Sequence, residues 1–350
     1  MVAAGQEFRR ERRHAGALGK SQKNEGGKMK SKSEQAISSC IPSPSSFSLW
    51  PHRLALLLAG ATFPLLFVGG LVTSLGAGLA VPDWPTTFGY NMFFYPWSKM
   101  IGGIFYEHSH RLIASLVGLI TIALAWTFWT KESREWLRWL GVAALGMVII
   151  QGVLGGLRVV LLQQTLAIIH ACTAQAFFAL AVSLALFSSA EWRTPVSEKP
   201  IADGGRLRRL ATITTVLIYL QIVFGAVLRH TGERIDAHLL FAALVALHVV
   251  LLVIRTMHLQ ADHAKLLRPA YLLIALLALQ LILGGASYFG KFTVMLGWPY
   301  ELTVLTTTTH LIVGALMLVT SLVFTMRAYR FSASVSDSLN AKVLTEQFSV

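Results

Sequence analysis

Apolar residues run along this chain in long blocks separated by short polar stretches. Eight blocks stand out, at 54–75, 106–129, 139–159, 165–187, 209–228, 236–256, 269–289 and 303–326. A helix rises about 1.5 Å per residue, so a run of about 20 apolar residues matches the hydrocarbon core of a bilayer. The pattern predicts an all-α polytopic membrane protein with eight transmembrane helices.

The blocks pair into hairpins that resemble one another. The third block reads QGVLGGLRV (Gln151 to Val159), and its partner carries His170. The fifth reads QIVFGAVLRH (Gln221 to His230), with His238 on its partner. The seventh reads QLILGGASY (Gln280 to Tyr288), with His310 following. The first keeps the small pair in LLFVGGLVT, with Leu65 at the Gln position and His110 on its partner. The unit is Gln-x-x-x-Gly-small on one helix, then a histidine early on the next. Such repetition indicates a duplicated architecture. It predicts two pseudo-symmetric four-helix bundles, 54–188 and 209–327, joined by a linker at 189–208 and flanked by tails at 1–53 and 328–350.

Composition agrees: 54% of residues are hydrophobic and 13% charged, against about 25% charged in soluble domains. The net charge of +13 would suit nucleic acid, but its distribution excludes that partner. Nine basic residues lie in the first 32 positions, and most others fall in alternate loops, such as Lys131, Arg134 and Arg138, or Arg206, Arg208 and Arg209. This is the positive-inside bias, and it predicts that both termini are cytoplasmic. The expected location is the cell's inner membrane, with the mitochondrial inner membrane as alternative and membrane lipid as the surroundings. The first tail lacks the apolar region of a signal peptide and reads as disordered; Met29 is an alternative start to Met1. Cys40 and Cys172 show no metal or disulfide spacing.

Ionisable side chains inside membrane spans are costly and mark functional sites. His110, His170, His238 and His310 recur on every second helix, near its start. Imidazole is the commonest protein ligand of haem iron, so they read as two pairs of axial ligands. Glu107 lies at i, i+3 from His110 and shares its face. It would serve acid–base work or stabilise developing charge, or else pair with a nearby arginine. His108 points away from His110. The paired small residues would either admit a flat macrocycle or allow close helix packing; Gln151, Gln221 and Gln280 read as interhelical hydrogen-bond donors. Arg111, Arg158 and Arg229, with His230, form an outer basic set suited to haem propionates, or to snorkelling. The loop 76–105 is long for a connection and carries VPDWP and an aromatic cluster, Phe93, Phe94, Tyr95 and Trp97. It reads as a lid over the first bundle or as an interfacial anchor.

YEHSHR (Tyr106 to Arg111), HACTAQAFF (His170 to Phe178) and GAVLRHTG (Gly225 to Gly232), with His310 followed by Gly314 and Ala315, resemble the haem A synthase family, COX15–CtaA. The resemblance covers residues 54–326. It implies an oxidoreductase that converts the C8 methyl of haem O to the formyl group of haem A for cytochrome oxidase assembly. His110 and His170 would hold the substrate haem, with Glu107 essential. His238 and His310 would ligate a haem b cofactor. Haem O synthase and an electron-transfer protein would be partners. One departure matters: bacterial members often carry cysteine where Val81 stands, and neither outer cysteine pair is present here, so no disulfide role is carried over. Histidine pairs alone would equally fit a di-haem b-type electron carrier, or a haem-binding assembly factor without chemistry. Glu107, absent from the second repeat's Arg234-Ile-Asp-Ala-His238, favours the enzyme.

Overall fold

The computed structural model describes residues 49–196, 201, 203–259, 263–293 and 297–347. Eight long helices are present: α1 (Trp50–Ser74), α2 (Gly103–Lys131), α3 (Glu135–Val160), α4 (Gln164–Ser188), α5 (Gly204–Thr231), α6 (Ile235–Leu259), α7 (Ala264–Phe292) and α8 (Tyr300–Gln347). All eight are long and apolar enough to cross a membrane, α8 over Tyr300–Ser332. Apart from the end of α1, each helix outruns its apolar block at both ends. Backbone hydrogen bonding continues through polar residues that no hydropathy window includes.

Three expected boundaries shift for this reason. Residues 50–53 of the expected tail are helical, and 1–48, with Cys40 and Met29, lie outside the described residues. The expected linker 189–208 already contains one helical turn, Ala190–Arg193, and the start of α5. The chain past residue 327 continues α8. That turn is held against α8, because Arg330 donates to the carbonyls of Trp192 and Glu191 and Arg327 pairs with Glu191.

Helices α1 to α4 pack in a closed ring, α1–α2–α3–α4–α1, and α5 to α8 form a second ring. The rings meet through α1, α4, α5 and α8. The cores follow this order. Leu58, Val117, Leu124, Phe128, Leu137 and Leu184 fill the first ring. Leu207, Ile218, Val249, Leu273 and Phe324 fill the second. A smaller cluster, Leu66, Phe178, Ile312 and Val319, lies between them on α1, α4 and α8. Outward, α2 presents Leu116, Leu119, Ile122 and Trp126 at helical spacing, all exposed, as a lipid-facing stripe requires. Mid-helix hydroxyls return to carbonyls one turn back, as in Thr62 to Leu58 and Thr256 to Leu252, which satisfies them where water is absent.

The loop after α1 begins at a Schellman turn. Gly76 has φ +65°, its N–H reaches Thr73 O, and Ala77 N–H reaches Val72 O at 2.8 Å. Glycine allows this left-handed residue without a Cβ clash. The loop then folds back, burying Val81, Thr87, Tyr95 and Met100 while Phe93, Phe94, Trp97 and Ile101 stay exposed. One side therefore packs inward against the helices, and the other is an exposed apolar surface.

Candidate functional site

All four singled-out histidines lie near the end of the molecule that carries this loop. His110 is seven residues into α2, His170 six into α4, His238 three into α6 and His310 ten into α8. In the second ring the His238 and His310 rings are 6.3 Å apart, centroid to centroid, and inclined at 69°. The surrounding cavity is walled by α5 to α8 and reaches Ala171 and Gln175 of α4. Gln221 Nε2 lies 3.2 Å from His238 Nδ1, and Gln280 Nε2 lies 3.4 Å from His310 Nε2. Gln151 instead bonds Thr173. All three glutamines thus bond across helices, as read from sequence.

The residues fit a macrocyclic metal complex. Among the described residues no group of three or more His, Cys, Asp or Glu could chelate a bare ion. Two facing imidazoles suit a metal that brings its equatorial donors with it. Several buried polar atoms in the cavity also lack partners: Gln175 Oε1, Gln221 Oε1, Gln280 Oε1 and Ser287 Oγ. His110 and His170 are close enough to interact electrostatically in the first ring.

The small pairs do something the sequence did not suggest. The first glycine of each pair faces the histidine of the following helix. A Cβ on Gly69, Gly155, Gly225 or Gly284 would lie 2.9, 3.2, 3.2 or 3.1 Å from Cε1 of His110, His170, His238 or His310 respectively. The second position varies. Gly70 faces Thr308 and Leu311 across the ring boundary, Gly156 lies under the Trp84 indole, and Gly285 faces open space. The constant spacing of Gly and His across four hairpins was the available signal.

Glu107 is 2% exposed. Its Oε2 accepts from Val81 N–H and its Oε1 from Arg111, both at 3.0 Å. Arg111 also donates to the carbonyls of Asp83, Thr86 and Val81. Three terminal N–H groups of its guanidinium thus bond the loop and the fourth bonds Glu107, so Arg111 clamps the loop, where the sequence suggested a propionate contact. His108 is buried, bonds Thr87 through Nδ1 at 3.1 Å and packs at a tilt against Tyr95, ring centroids 5.2 Å apart. It holds the loop. Arg229 ties the rings together through Gly70 O, Ser74 Oγ and Thr307 O, yet it also lines the second cavity beside His230 and Lys291. Arg158 lines an outer cleft, again with His230.

Asp83, overlooked in the sequence apart from its place in VPDWP, organises a turn in this loop. Its carboxylate accepts from Phe88 N–H at 2.7 Å, Gly89 N–H at 2.9 Å and the Thr86 hydroxyl. Partial burial pushes this carboxyl up, but the bonds from Gly89, Thr86 and Phe88 outweigh it and hold the pKa at about 2. A depressed carboxyl stabilises the fold above its ordinary value of 3.8 and loses that contribution as pH falls through about 2. The turn should therefore loosen between pH 4 and pH 2. Asp83→Asn should speed amide exchange at Phe88 and Gly89 about tenfold at neutral pH, as expected for losing bonds to a charged group. Unchanged exchange would remove Asp83 from this role.

Fold and site together define a multi-pass membrane protein with one imidazole pair in each of two helical rings. Residues 97–237 match the COX15–CtaA family, described as cytochrome oxidase assembly protein. Among curated relatives, it is 27% identical over 186 residues to a protein named Heme A synthase from Shouchella clausii, covering 52% of this chain and 60% of the relative. Proteins of the same name from Bacillus pumilus and Alkalihalophilus pseudofirmus are 31% identical over 195 residues and 30% identical over 171. Those two matches cover 52% and 48% of this chain, and 60% and 55% of the relatives. The chain thus spans less than two thirds of the length of the curated relatives it matches.

Proposed function

We propose that the protein is a haem A synthase, oxidising the C8 methyl of haem O to the formyl group of haem A for cytochrome oxidase assembly. One asymmetry carries this reading. Both rings offer paired imidazoles seated on glycine, but among the described residues only the first adds a buried carboxylate one helical turn from its histidine, Glu107 beside His110. A site that only stores or passes electrons has no need of that group.

His110 and His170 hold the iron of the substrate, haem O. Turning the methyl into a formyl group removes two hydrogens and adds one oxygen. It is a four-electron oxidation, with the oxygen drawn from water or dioxygen and the electrons leaving to dioxygen or to the electron-transfer partner. Glu107 would supply a fixed negative charge beside the positive charge that develops at the ring edge. The lid, clamped by Glu107 and Arg111, keeps water from that edge and strengthens the electrostatic effect. His238 and His310 hold haem b, which supplies one-electron transfer when bound. Arg158 and Arg229 offer N–H donors to propionates. Haem O synthase supplies the substrate, and an electron-transfer protein completes the circuit.

Expression with haem O synthase, followed by pigment extraction, chromatography and mass measurement, tests the proposal. Haem A is the expected product. Haem O alone, with oxygen and an electron acceptor present, would favour an electron carrier. For topology, reporter fusions after Arg134 and Arg206 should report the cytoplasm and one near Tyr90 the outer side of the cell's inner membrane; the reverse would invert the orientation.

A further inference from the structure

The four glycine seats share a second feature. At all four the atom nearest a Cβ added to the glycine is the same one, the imidazole Cε1, at 2.9–3.2 Å. The same edge of each ring therefore lies against the backbone of the preceding helix. Nδ1 of His110, His170 and His310 has no hydrogen-bond partner among the described residues, so close packing against the helix, rather than a bond at Nδ1, holds these rings.

We infer that Gly69, Gly155, Gly225 and Gly284 are positioning residues for the four imidazoles. Each lets the imidazole lie against the helix backbone, and that contact sets the plane and depth of a ligating ring. The idea explains why Leu65 can stand where the other repeats have glutamine: the seat is the missing side chain of the glycine, which all four repeats share. It also separates the two glycines of Gly284–Gly285, since a Cβ on Gly284 would meet His310 at 3.1 Å whereas one on Gly285 meets nothing within 4 Å.

The inference rests on the reading that His238 and His310 hold haem iron, and the test keeps the two apart. Full-length protein is purified as wild type and as Gly225→Ala, Gly284→Ala and Gly285→Ala. Haem content, the electron paramagnetic resonance signature of the ferric low-spin species and the midpoint potential are measured on each. Alanine is the better helix former, and far-UV circular dichroism checks that all four preparations are equally helical. Gly225→Ala and Gly284→Ala should bind haem about ten- to a hundredfold more weakly, the usual cost of disturbing a residue behind a metal ligand. The fraction that binds should show altered resonance positions and potential. Gly285→Ala, whose Cβ would enter the same cavity without touching His310, should keep the resonance positions of wild type. Wild type without low-spin haem would defeat the functional reading itself. Wild type with low-spin haem, and seat variants identical to it in all three measurements, would overturn this inference alone. So would a Gln221→Leu protein that loses haem while Gly225→Ala keeps it, since the glutamine side chain would then be orienting the ring.

Discussion

Glu107→Gln should lower haem A formation by about 10²–10³-fold, the range seen when one preorganised electrostatic group is removed from an active site. The substitution keeps shape and removes charge. Its structural cost should be small enough for the protein to fold. Arg111 retains its bonds to the carbonyls of Asp83, Thr86 and Val81, and the glutamine oxygen can still accept from Val81 N–H or from Arg111. What is lost is one charge-assisted bond, worth about 1.5–3 kcal/mol. The variant should keep the pigment of the second ring and accumulate haem O or a hydroxylated intermediate. Because Glu107 also clamps the lid, Arg111→Gln is the informative partner, breaking the same clamp while leaving the carboxylate in place. Equal losses in both variants would assign Glu107 to the lid alone. Wild-type haem A formation in Glu107→Gln, measured in cells that supply haem O, would end its proposed role in the reaction.

His238→Ala and His310→Ala should each abolish the constitutive low-spin haem spectrum, and His110→Ala should leave that spectrum intact. With one imidazole gone, the remaining ring holds iron from one side only, and a six-coordinate low-spin state needs both. The site is unforgiving for a further reason. Removing His238 strands the Gln221 amide, whose oxygen already lacks a partner, inside a largely apolar cavity. A full low-spin spectrum in both variants would show that the second ring does not hold the cofactor. Loss of that spectrum in His110→Ala would mean that the two rings do not act as separate sites.

Much of the architecture is legible in local stretches of the chain. Eight spans follow from apolar runs, because an unsatisfied backbone in lipid leaves helix as the only local solution. The four histidines follow from the expense of placing an imidazole in such a run, and Glu107 beside His110 follows from i, i+3 geometry within one helix. All of these depend on neighbours a few residues away.

What the sequence could not supply depends on contacts between distant segments. Arg111 looked like a propionate contact because its charge and position suited one. Only the folded loop revealed that three of its N–H groups bond carbonyls 25 to 30 positions upstream. Arg229 reaches Gly70, 159 positions away. The small pairs left macrocycle space and helix packing undecided, and the structure instead put one glycine of each pair beneath an imidazole. A helix's own sequence fixes which residues share a face. The rotation and depth at which that face meets its neighbour depend on how whole side-chain surfaces interlock, and no local pattern records that. The residues on which a site depends were thus determined by the sequence, whereas which glycine seats a histidine, and which arginine remains free for a ligand, were decided only by the packing of the helices.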